Sequence, residues 1–402
     1  MKTLLKILKK TLRIVVFTLL GLLIIVNLYI LLSGRTYIYK GVANTYLKGR
    51  TGPGIYDLEV FPYSTIKKDA VYQTPKSNRY NAKALSQPDK KYLLKEKSTA
   101  FLVFKNDSLI SENYFGEHTA STKSNSFSAA KTVVALLIGT AIGDGKIKSL
   151  DEPIGHYLPR FKNEKITIRH LLWMSSGLSW TESGKNPLSD NAESYFGDDL
   201  LGLVNRQKIV EPSGKRFNYQ SGNSQLLGFI IEKATGKSVS AYCEEKIWKK
   251  IRPESDAHWS LDKENGDEKS FCCLYATARD FGKIGLLIQH FGKLYGEQII
   301  PEWYMHEMML NPKLETEEGI ENYRYGLHIW TYHAQKHVVN YCRGIKGQYI
   351  FTIPDENLTI VRLGHHRAKD FDTKKRDAVS IRKLGHPTDI EPYLKIGRTL
   401  AK

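Results

Sequence analysis

The longest run of hydrophobic positions lies near the start of the chain. Residues 14–32 are apolar except at Thr18, Gly21 and Asn27. An apolar stretch of this length is typical of a helix that crosses a bilayer. The pattern therefore predicts a transmembrane anchor. The alternative is a cleaved signal peptide, but no A-x-A-like cleavage site follows the stretch, which favours an uncleaved anchor.

Beyond this stretch, the periodicity changes from strands to helices and back to strands. Alternation within residues 99–110 predicts a β-hairpin, and about 128–260 is mainly helical in pattern. Further strands are predicted at residues 326–332, 337–342, 348–353 and 358–363. We therefore predict an α+β fold with one antiparallel sheet built from both ends of the folded region, flanking helices and an inserted helical region. An amphipathic segment at about 370–384 is compatible with a last helix.

The same patterns divide the chain into three parts. We predict a basic tip and transmembrane anchor at residues 1–34 and a folded domain at residues 98–402. The segment between them, residues 35–97, is rich in Lys, Tyr, Gly and Pro and has little periodicity. This composition predicts a stalk and an irregular extension that wraps the domain.

The charge distribution supports a membrane location. The formal net charge is +17, yet no Asp or Glu precedes Asp57. Five cations precede the apolar stretch, at Lys2, Lys6, Lys9, Lys10 and Arg13. By the positive-inside rule, the N-terminus stays in the cytoplasm and the folded domain is exported, to the periplasm or the cell exterior. A basic stripe with interleaved aromatic residues is absent from the sequence, so no nucleic-acid partner is expected.

Cysteine and histidine usage suggests neither a disulfide scaffold nor a metal centre. The four cysteines are Cys243, Cys272, Cys273 and Cys342. Buried free thiols are the simplest interpretation, and a bridge from the adjacent pair to Cys342 or Cys243 stays open. The pair His365-His366 has no third ligand at a suitable spacing, so we expect no metal and no cofactor.

The strongest chemical signal is the tetrad Ser128-Ala-Ala-Lys131, because a nearly all-apolar segment, 132–142, follows it. Residues i and i+3 share a helical face, so Ser128 and Lys131 would lie side by side where a buried helix begins. A lysine in apolar surroundings has a lowered pKa, and a neutral amine beside a hydroxyl activates it as a nucleophile. Three other S-x-x-K sequences do not open an apolar helix; they begin at Ser64, Ser260 and Ser380.

Three further segments accompany the tetrad. They are the helix and Ser-Ser-Gly turn of 167–178, the Pro/Gly loop of 211–222 with Tyr219 and Ser221, and the glycine-punctuated segment 343–349. Together with the tetrad, they resemble the serine β-lactamase-like hydrolases, which include class C β-lactamases and D,D-peptidases. Phe271-Cys-Cys and the segment 276–280 resemble, more narrowly, the 6-aminohexanoate-dimer (nylon-oligomer) hydrolase-like proteins.

This resemblance implies a β-lactamase/transpeptidase-like fold and a set of roles. Ser128 would be the acylated nucleophile, Lys131 its general base and Tyr219 a second acid/base. The backbone N–H groups of Ser128 and Gln348 would form the oxyanion hole. Candidate substrate contacts are Ser221, Lys346, Gly347 and Trp180. The loop 181–199, with Glu182 and Asp190, is expected to be mainly solvated.

The third motif departs from that of the penicillin-recognising relatives. Ile345, Lys346 and Gly347 stand where those proteins usually carry Lys or His, then Thr or Ser, then Gly. Ile345 cannot bind a substrate carboxylate. We therefore predict a membrane-anchored, exported serine hydrolase of small amides or esters. The alternatives are a D,D-carboxypeptidase or β-lactamase that acts on cell-wall peptides or β-lactams, and a non-catalytic envelope binding protein of the same fold.

Overall fold

A computed structural model describes residues 2–334, 337–371 and 377–402. Within these residues the main sheet is antiparallel, with strand order β3-β2-β12-β11-β10-β9. Its strands are β2 Ser98–Lys105, β3 Ser108–Tyr114, β9 Trp330–Ala334, β10 His337–Gly344, β11 Gln348–Ile353 and β12 Leu358–Gly364. Strands from both ends of the folded region thus meet in one sheet, which confirms the predicted fold class.

A second, smaller sheet has the order β1-β5-β6-β4, and a short hairpin pairs β7 with β8. The strands are β1 Tyr63–Ile66, β4 Ser124–Asn125, β5 Ala257–Ser260, β6 Leu274–Ala276, β7 Lys293–Leu294 and β8 Glu297–Gln298. Tyr63 to Ile66 pair in antiparallel register with Ser260 to Ala257. The segment predicted as stalk and extension therefore contributes a strand to the fold.

The described residues form thirteen α-helices, and helices pack on both faces of the main sheet. They are α1 Lys2–Leu32, α2 Tyr37–Asn44, α3 Gln87–Lys95, α4 Ala130–Gly143, α5 Ile168–Leu172, α6 Asp190–Phe196, α7 Leu200–Asn205, α8 Ser221–Thr235, α9 Val239–Cys243, α10 Ala278–Gln289, α11 Glu302–Met309, α12 Ala378–Lys383 and α13 Ile390–Ala401. Gly285 of α10 faces Ile350 and Thr359, while Gly397 of α13 faces Ile360. Glycines let these helices pack closely against the sheet.

Helix α4 occupies the core, as its sequence predicts. Every residue from Ala130 to Ala141 is buried. A helix that is apolar on all sides gains free energy only where other elements surround it. This burial fixes the position of the residues at its N-terminal end, which carry the predicted chemistry.

Two predicted elements differ from the observed ones. The strand expected at 326–332 begins only at Trp330, because His328 has a φ of 54° and the chain turns there. The helix expected at about 370–384 is described only as α12; residues 372–376 lie outside the described residues.

Helix α1 is the one helix in the described part of the chain that is long and apolar enough to span a membrane. Its residues are almost all exposed to the surroundings, with only Ile30 buried. A core helix of a soluble domain would instead be covered by other elements. The apolar surface of α1 is therefore compatible with a bilayer as its environment.

Candidate active site

Ser128 lies on a single 3₁₀ turn, Phe127–Ala129, that leads directly into α4. The preceding residue, Phe127, has a φ of 46°, in the left-handed region that non-glycine residues seldom adopt. This sharp turn leaves the Ser128 side chain half-buried, while its neighbours on both sides are buried. The tetrad therefore presents one hydroxyl at the end of a core helix.

Lys131 lies one helical turn further along and is almost completely buried, with 1% of its surface exposed. Its Nζ donates hydrogen bonds to Ser128 Oγ at 3.2 Å, to Ser221 Oγ at 3.0 Å and to the carbonyl oxygen of Phe271 at 2.7 Å. Burial lowers the pKa of Lys131 to about 8, against the opposing charge of Glu182. A fraction of the amine is therefore neutral near pH 7 and can accept the Ser128 proton.

Tyr219 packs beside this pair. Its ring lies 5.6 Å from that of Trp330 and 5.8 Å from that of Tyr325, and Lys131 Nζ lies 5.3 Å from its centroid. Burial first and the charge of Glu182 second raise the pKa of Tyr219, while a hydrogen bond to the Ser128 side chain lowers it. Tyr219 is therefore a neutral phenol near pH 7, able to donate its proton.

The structure assigns Glu182 a position that the sequence analysis missed. Its carboxylate accepts hydrogen bonds from Ser221 N at 2.7 Å and Ser221 Oγ at 2.8 Å. Ser221 in turn accepts from Lys131, so a chain of contacts links the loop carboxylate to the buried amine. Glu182 is exposed, as expected for this loop, but its carboxylate is also bonded to Ser221, which the sequence did not indicate. Glu182 lies 39 residues from Ser221 in sequence, so no local pattern indicated the contact.

Trp180 is almost completely covered and packs against Glu182 and the first turn of α8. Only 4% of its surface is exposed, and its Nε1 donates to Glu182 Oε2 at 2.8 Å. A Cβ placed at Gly222 would overlap the Trp180 ring, so the first turn of α8 rests directly on the indole. The indole thus contacts Glu182 and the first turn of α8, and a contact of Trp180 with substrate stays a prediction.

The two glycines of the third motif, Gly344 and Gly347, have different neighbours. A Cβ at Gly344 would overlap the carbonyl oxygen of Ser126 and lie 3.2 Å from the Phe127 side chain. Gly344 therefore allows the end of β10 to approach the nucleophile turn. Gly347 instead faces Arg362, and its carbonyl oxygen accepts from the Arg362 guanidinium at 2.7 Å. Gly347 thus packs within the β10–β11 turn, and its contact with substrate stays a prediction.

Gln348 and Lys346 also have contacts within the fold. The Gln348 side chain is buried and donates to the carbonyl oxygen of Gly364 at 2.7 Å, and its residue pairs with Gly344 in the sheet. Lys346 is half-buried, with a φ of 61° in the turn. Burial lowers its pKa first, and the neighbouring charge of Arg50 lowers it further. The backbone carbonyl oxygen of Lys346 accepts from the Arg362 guanidinium at 3.0 Å, and the role of the Lys346 side chain toward substrate stays a prediction.

The cysteines differ from both arrangements left open by the sequence. Cys272 and Cys273 form a disulfide with each other, whereas Cys243 and Cys342 are free and buried. The bridge immediately follows Phe271, whose carbonyl oxygen accepts from Lys131. It therefore lies directly beside the backbone group that anchors the amine.

Histidines near the site have structural partners. His366 Nδ1 lies 2.8 Å from Glu96 Oε2, and the ring of His365 packs edge-on against Tyr56. His328 bonds Ser224 Oγ at 2.8 Å and the carbonyl oxygen of Leu172 at 2.9 Å. In the part of the chain that the structure describes, no group of three or more His, Cys, Asp or Glu residues is placed to hold a metal ion.

Comparison with known proteins agrees with this geometry. The β-lactamase family profile matches residues 93–382. The 6-aminohexanoate-dimer hydrolase of Paenarthrobacter ureafaciens is 22% identical over 327 residues, covering 76% of this chain and 82% of that protein. The teichoic acid D-alanine hydrolase of Staphylococcus aureus (strain MRSA252) is 26% identical over 225 residues, covering 50% of this chain and 53% of that protein.

A solved structure gives the same result for the fold. A Bacillus anthracis protein assigned as a 6-aminohexanoate-dimer hydrolase superposes with a TM-score of 0.71 at 22% identity, covering 86% of this chain and 92% of that one. The resemblance inferred from the sequence motifs is thereby confirmed. With the profile match covering most of the chain and a Ser128–Lys131 pair at the start of a buried helix, the chain belongs to the β-lactamase family of serine hydrolases.

Proposed function

We propose that this protein is a membrane-anchored serine hydrolase that cleaves small esters and amides through an acyl-enzyme on Ser128. The observation that carries the proposal is the contact of Lys131 Nζ with Ser128 Oγ at 3.2 Å, made by an amine whose pKa burial lowers to about 8. A general base is most effective when its pKa lies near the working pH. This pair meets that requirement without a metal or cofactor.

In the first step, neutral Lys131 accepts the Ser128 proton as Oγ attacks the substrate carbonyl carbon. The carbonyl π bond opens, and its electron pair forms the oxyanion of a tetrahedral intermediate. Tyr219 donates its phenolic proton to the leaving oxygen or nitrogen as the bond to carbon breaks. The Lys131 ammonium then returns its proton to the Tyr219 phenolate, which restores both groups.

Water completes the cycle. It attacks the acyl carbon, gives up a proton to the same basic groups and releases the acid, while Ser128 regains its hydrogen. Both tetrahedral intermediates carry negative charge on the former carbonyl oxygen, so backbone N–H groups aimed at that oxygen lower both barriers.

For the oxyanion hole, we propose the backbone N–H groups of Ser128 and Ile345. Gly344 lies against the nucleophile turn, and the next N–H along the chain belongs to Ile345. Gln348, predicted from the sequence motif, pairs with Gly344 across the β10–β11 turn and stays the alternative donor. The contact of Gly344 with Ser126 brings both candidate donors to the nucleophile turn.

Ester and amide substrates fit this site better than penicillins. Ile345 is 48% exposed and offers no charge to a substrate carboxylate, which needs a cationic partner to offset its desolvation. An alkoxide also leaves more readily than an amine anion. We therefore expect short-chain esters to be cleaved well, small amides slowly and penicillins least.

A substrate panel on the full chain tests the proposal. The panel contains 4-nitrophenyl acetate, alanine 4-nitroanilide and nitrocefin, with Ser128→Ala as the inactive control. We expect kcat/KM to fall in that order in the wild-type protein. A nitrocefin value that equals or exceeds the ester value would favour the cell-wall alternative, and no turnover of any substrate would favour a binding protein.

Membrane anchoring rests on α1 and the five cations that precede its apolar part. We propose that residues 14–32 span the bilayer with the N-terminus in the cytoplasm and the hydrolase outside. Accessibility of single cysteines introduced at Lys2 and Lys263 to a membrane-impermeant thiol reagent on intact cells tests the orientation. Only the Lys263 position should react from outside.

A further inference from the structure

The described structure contains a mainly apolar cavity of about 180 Å³ that is lined by α2, by α6 and by Ile345 of the third motif. One wall is α2, the helix that follows the membrane helix, with Tyr37, Ile38 and Val42. The opposite wall is α6 and the loop before it, with Ala192 and Phe196. A site with apolar walls and few polar groups suits a hydrocarbon surface.

Two residues that line this cavity directly follow residues that contact the catalytic groups. Ile345 lines it, and Ile345 directly follows Gly344, which lies against the nucleophile turn. Ser183 also lines it and directly follows Glu182, which bonds Ser221. The cavity is therefore bounded by the same two segments that position the reacting groups.

The outer end of the cavity lies where the membrane helix ends. The Tyr37 hydroxyl donates to the carbonyl oxygen of Pro187 at 3.0 Å, and Arg35 donates to that of Leu188 at 3.4 Å. These contacts fix the cavity wall to the first residues beyond α1. Under the membrane anchoring proposed above, this wall of the cavity begins only a few residues after the membrane-spanning segment ends.

Apolar side chains around α2 extend this surface outward. Val42, Tyr46 and Leu47 are 38%, 66% and 78% exposed, and Val42 and Tyr46 also line the cavity. Exposed apolar groups in this number beside a membrane helix favour contact with the lipid interface. An apolar path thus leads from that interface into the cavity.

We propose that this cavity binds the linear hydrocarbon chain of an amphiphilic ester or amide that lies in the same membrane, with the scissile carbonyl at Ser128. The inference deepens the proposed function, on which it rests, by naming the substrate class. The chain leaves the bilayer along α2, and its apolar surface stays covered between α2 and α6. The polar head, with the scissile bond, meets the buried lysine and tyrosine.

A binding experiment tests the cavity independently of turnover. The full chain carrying Ser128→Ala is reconstituted in phosphatidylcholine vesicles that contain palmitic acid with a diazirine in its chain. After illumination, we expect peptide adducts on cavity-lining residues of α2 and α6. Val42→Trp and, on the opposite wall, Ala192→Phe should each reduce these adducts at least fivefold. Val71→Trp, at a position that is 84% exposed outside the cavity, should not.

A turnover experiment then tests the consequence for specificity. In the same vesicles, wild-type kcat/KM should be at least tenfold higher for 4-nitrophenyl octanoate than for the acetate, and both cavity variants should lose this preference. Adducts confined to α1, or unchanged in both cavity variants, would overturn the inference, as would equal rates for the two esters. Cavity adducts without cleavage of either ester would support the chain site and reject the proposed hydrolysis.

Discussion

Glu182 accepts hydrogen bonds from both the backbone N–H and the hydroxyl of Ser221, at 2.7 and 2.8 Å. Ser221 Oγ can therefore direct its lone pairs toward Lys131 Nζ, 3.0 Å away. The loop carboxylate acts on the buried amine through this hydroxyl and through its charge, which raises the Lys131 pKa against the effect of burial. Glu182 is thus a positioning residue for the general base.

Glu182→Gln should move the acidic limb of the kcat/KM profile to lower pH. In the wild-type protein, activity should rise with pH through an apparent pKa of about 8, as Lys131 loses its proton. Removing the negative charge disfavours the ammonium form, so the lysine pKa falls. Measured pH–rate profiles check this shift. The control, Glu264→Gln, removes an exposed carboxylate elsewhere and should leave the limb in place; a limb that stays in place in Glu182→Gln as well would contradict the assigned role.

Ser128→Ala should abolish labelling by a fluorophosphonate probe. The reagent phosphonylates an activated serine hydroxyl, and among the four serines that begin an S-x-x-K sequence only Ser128 lies against a buried lysine at the start of an apolar helix. In-gel fluorescence of the labelled chain gives the readout. Ser64→Ala is the matched control. Ser64 also begins an S-x-x-K sequence, but it is half-buried on strand β1 and does not begin a helix. Persistent labelling of Ser128→Ala would place the nucleophile elsewhere.

Tyr219→Phe should lower kcat by roughly 10² to 10⁴-fold, the usual effect of losing one general acid/base. The fold should be retained because the ring keeps its packing against Trp330 and Tyr325. Steady-state kinetics and the circular dichroism melting curve measure the two effects. Tyr295→Phe, at a residue 39% exposed and outside the site, controls for loss of a hydroxyl. Wild-type kcat in Tyr219→Phe would show that this tyrosine only supports the fold.

Lys131→Met should remove activity but should lower Tm at pH 7 by no more than about 3 °C. A Tm shift of that size corresponds to roughly 1 kcal/mol of stability. Lowering a lysine pKa from 10.5 to about 8 on folding opposes folding by about 3 kcal/mol below pH 8. The native state binds fewer protons than the unfolded state between these values, so this penalty disappears as pH rises from 8 to 10.5. Replacement by methionine removes it and offsets the lost hydrogen bonds.

The measurement for this variant is the free energy of unfolding from urea titrations at pH 7 and pH 10. The free energy of unfolding of Lys131→Met minus that of the wild type should be more positive at pH 7 than at pH 10. A difference that does not change with pH would mean that Lys131 carries no such shift.

Gly344→Ala should reduce kcat by at least 10²-fold. An added Cβ would overlap the carbonyl oxygen of Ser126, so the nucleophile turn must move away from β10. Small displacements of reacting groups have large effects on rate. Burst kinetics with a 4-nitrophenyl ester report acylation directly. Gly21→Ala, where nothing lies within 4 Å, is the control and should behave as wild type; full acylation in Gly344→Ala would exclude the close-approach role.

Patterns of neighbouring residues were enough to predict the helices and strands that depend on local periodicity. The apolar run after Lys131 predicted a buried helix, and its burial explains the lowered lysine pKa. Alternation of apolar residues predicted most strands of the main sheet. The spacing of Ser128 and Lys131 placed both on one helical face, because helical periodicity depends only on neighbouring residues.

Contacts between residues far apart in the chain became visible only in the tertiary structure. Glu182 reaches Ser221 across 39 residues, and the Phe271 carbonyl reaches Lys131 across 140. The segment 343–349 contains two glycines, and its sequence does not indicate which of them faces the nucleophile turn. The structure shows that Gly344 does, whereas Gly347 faces Arg362. Such contacts follow from how helices and strands pack, and packing is a property of the whole core that no single segment encodes.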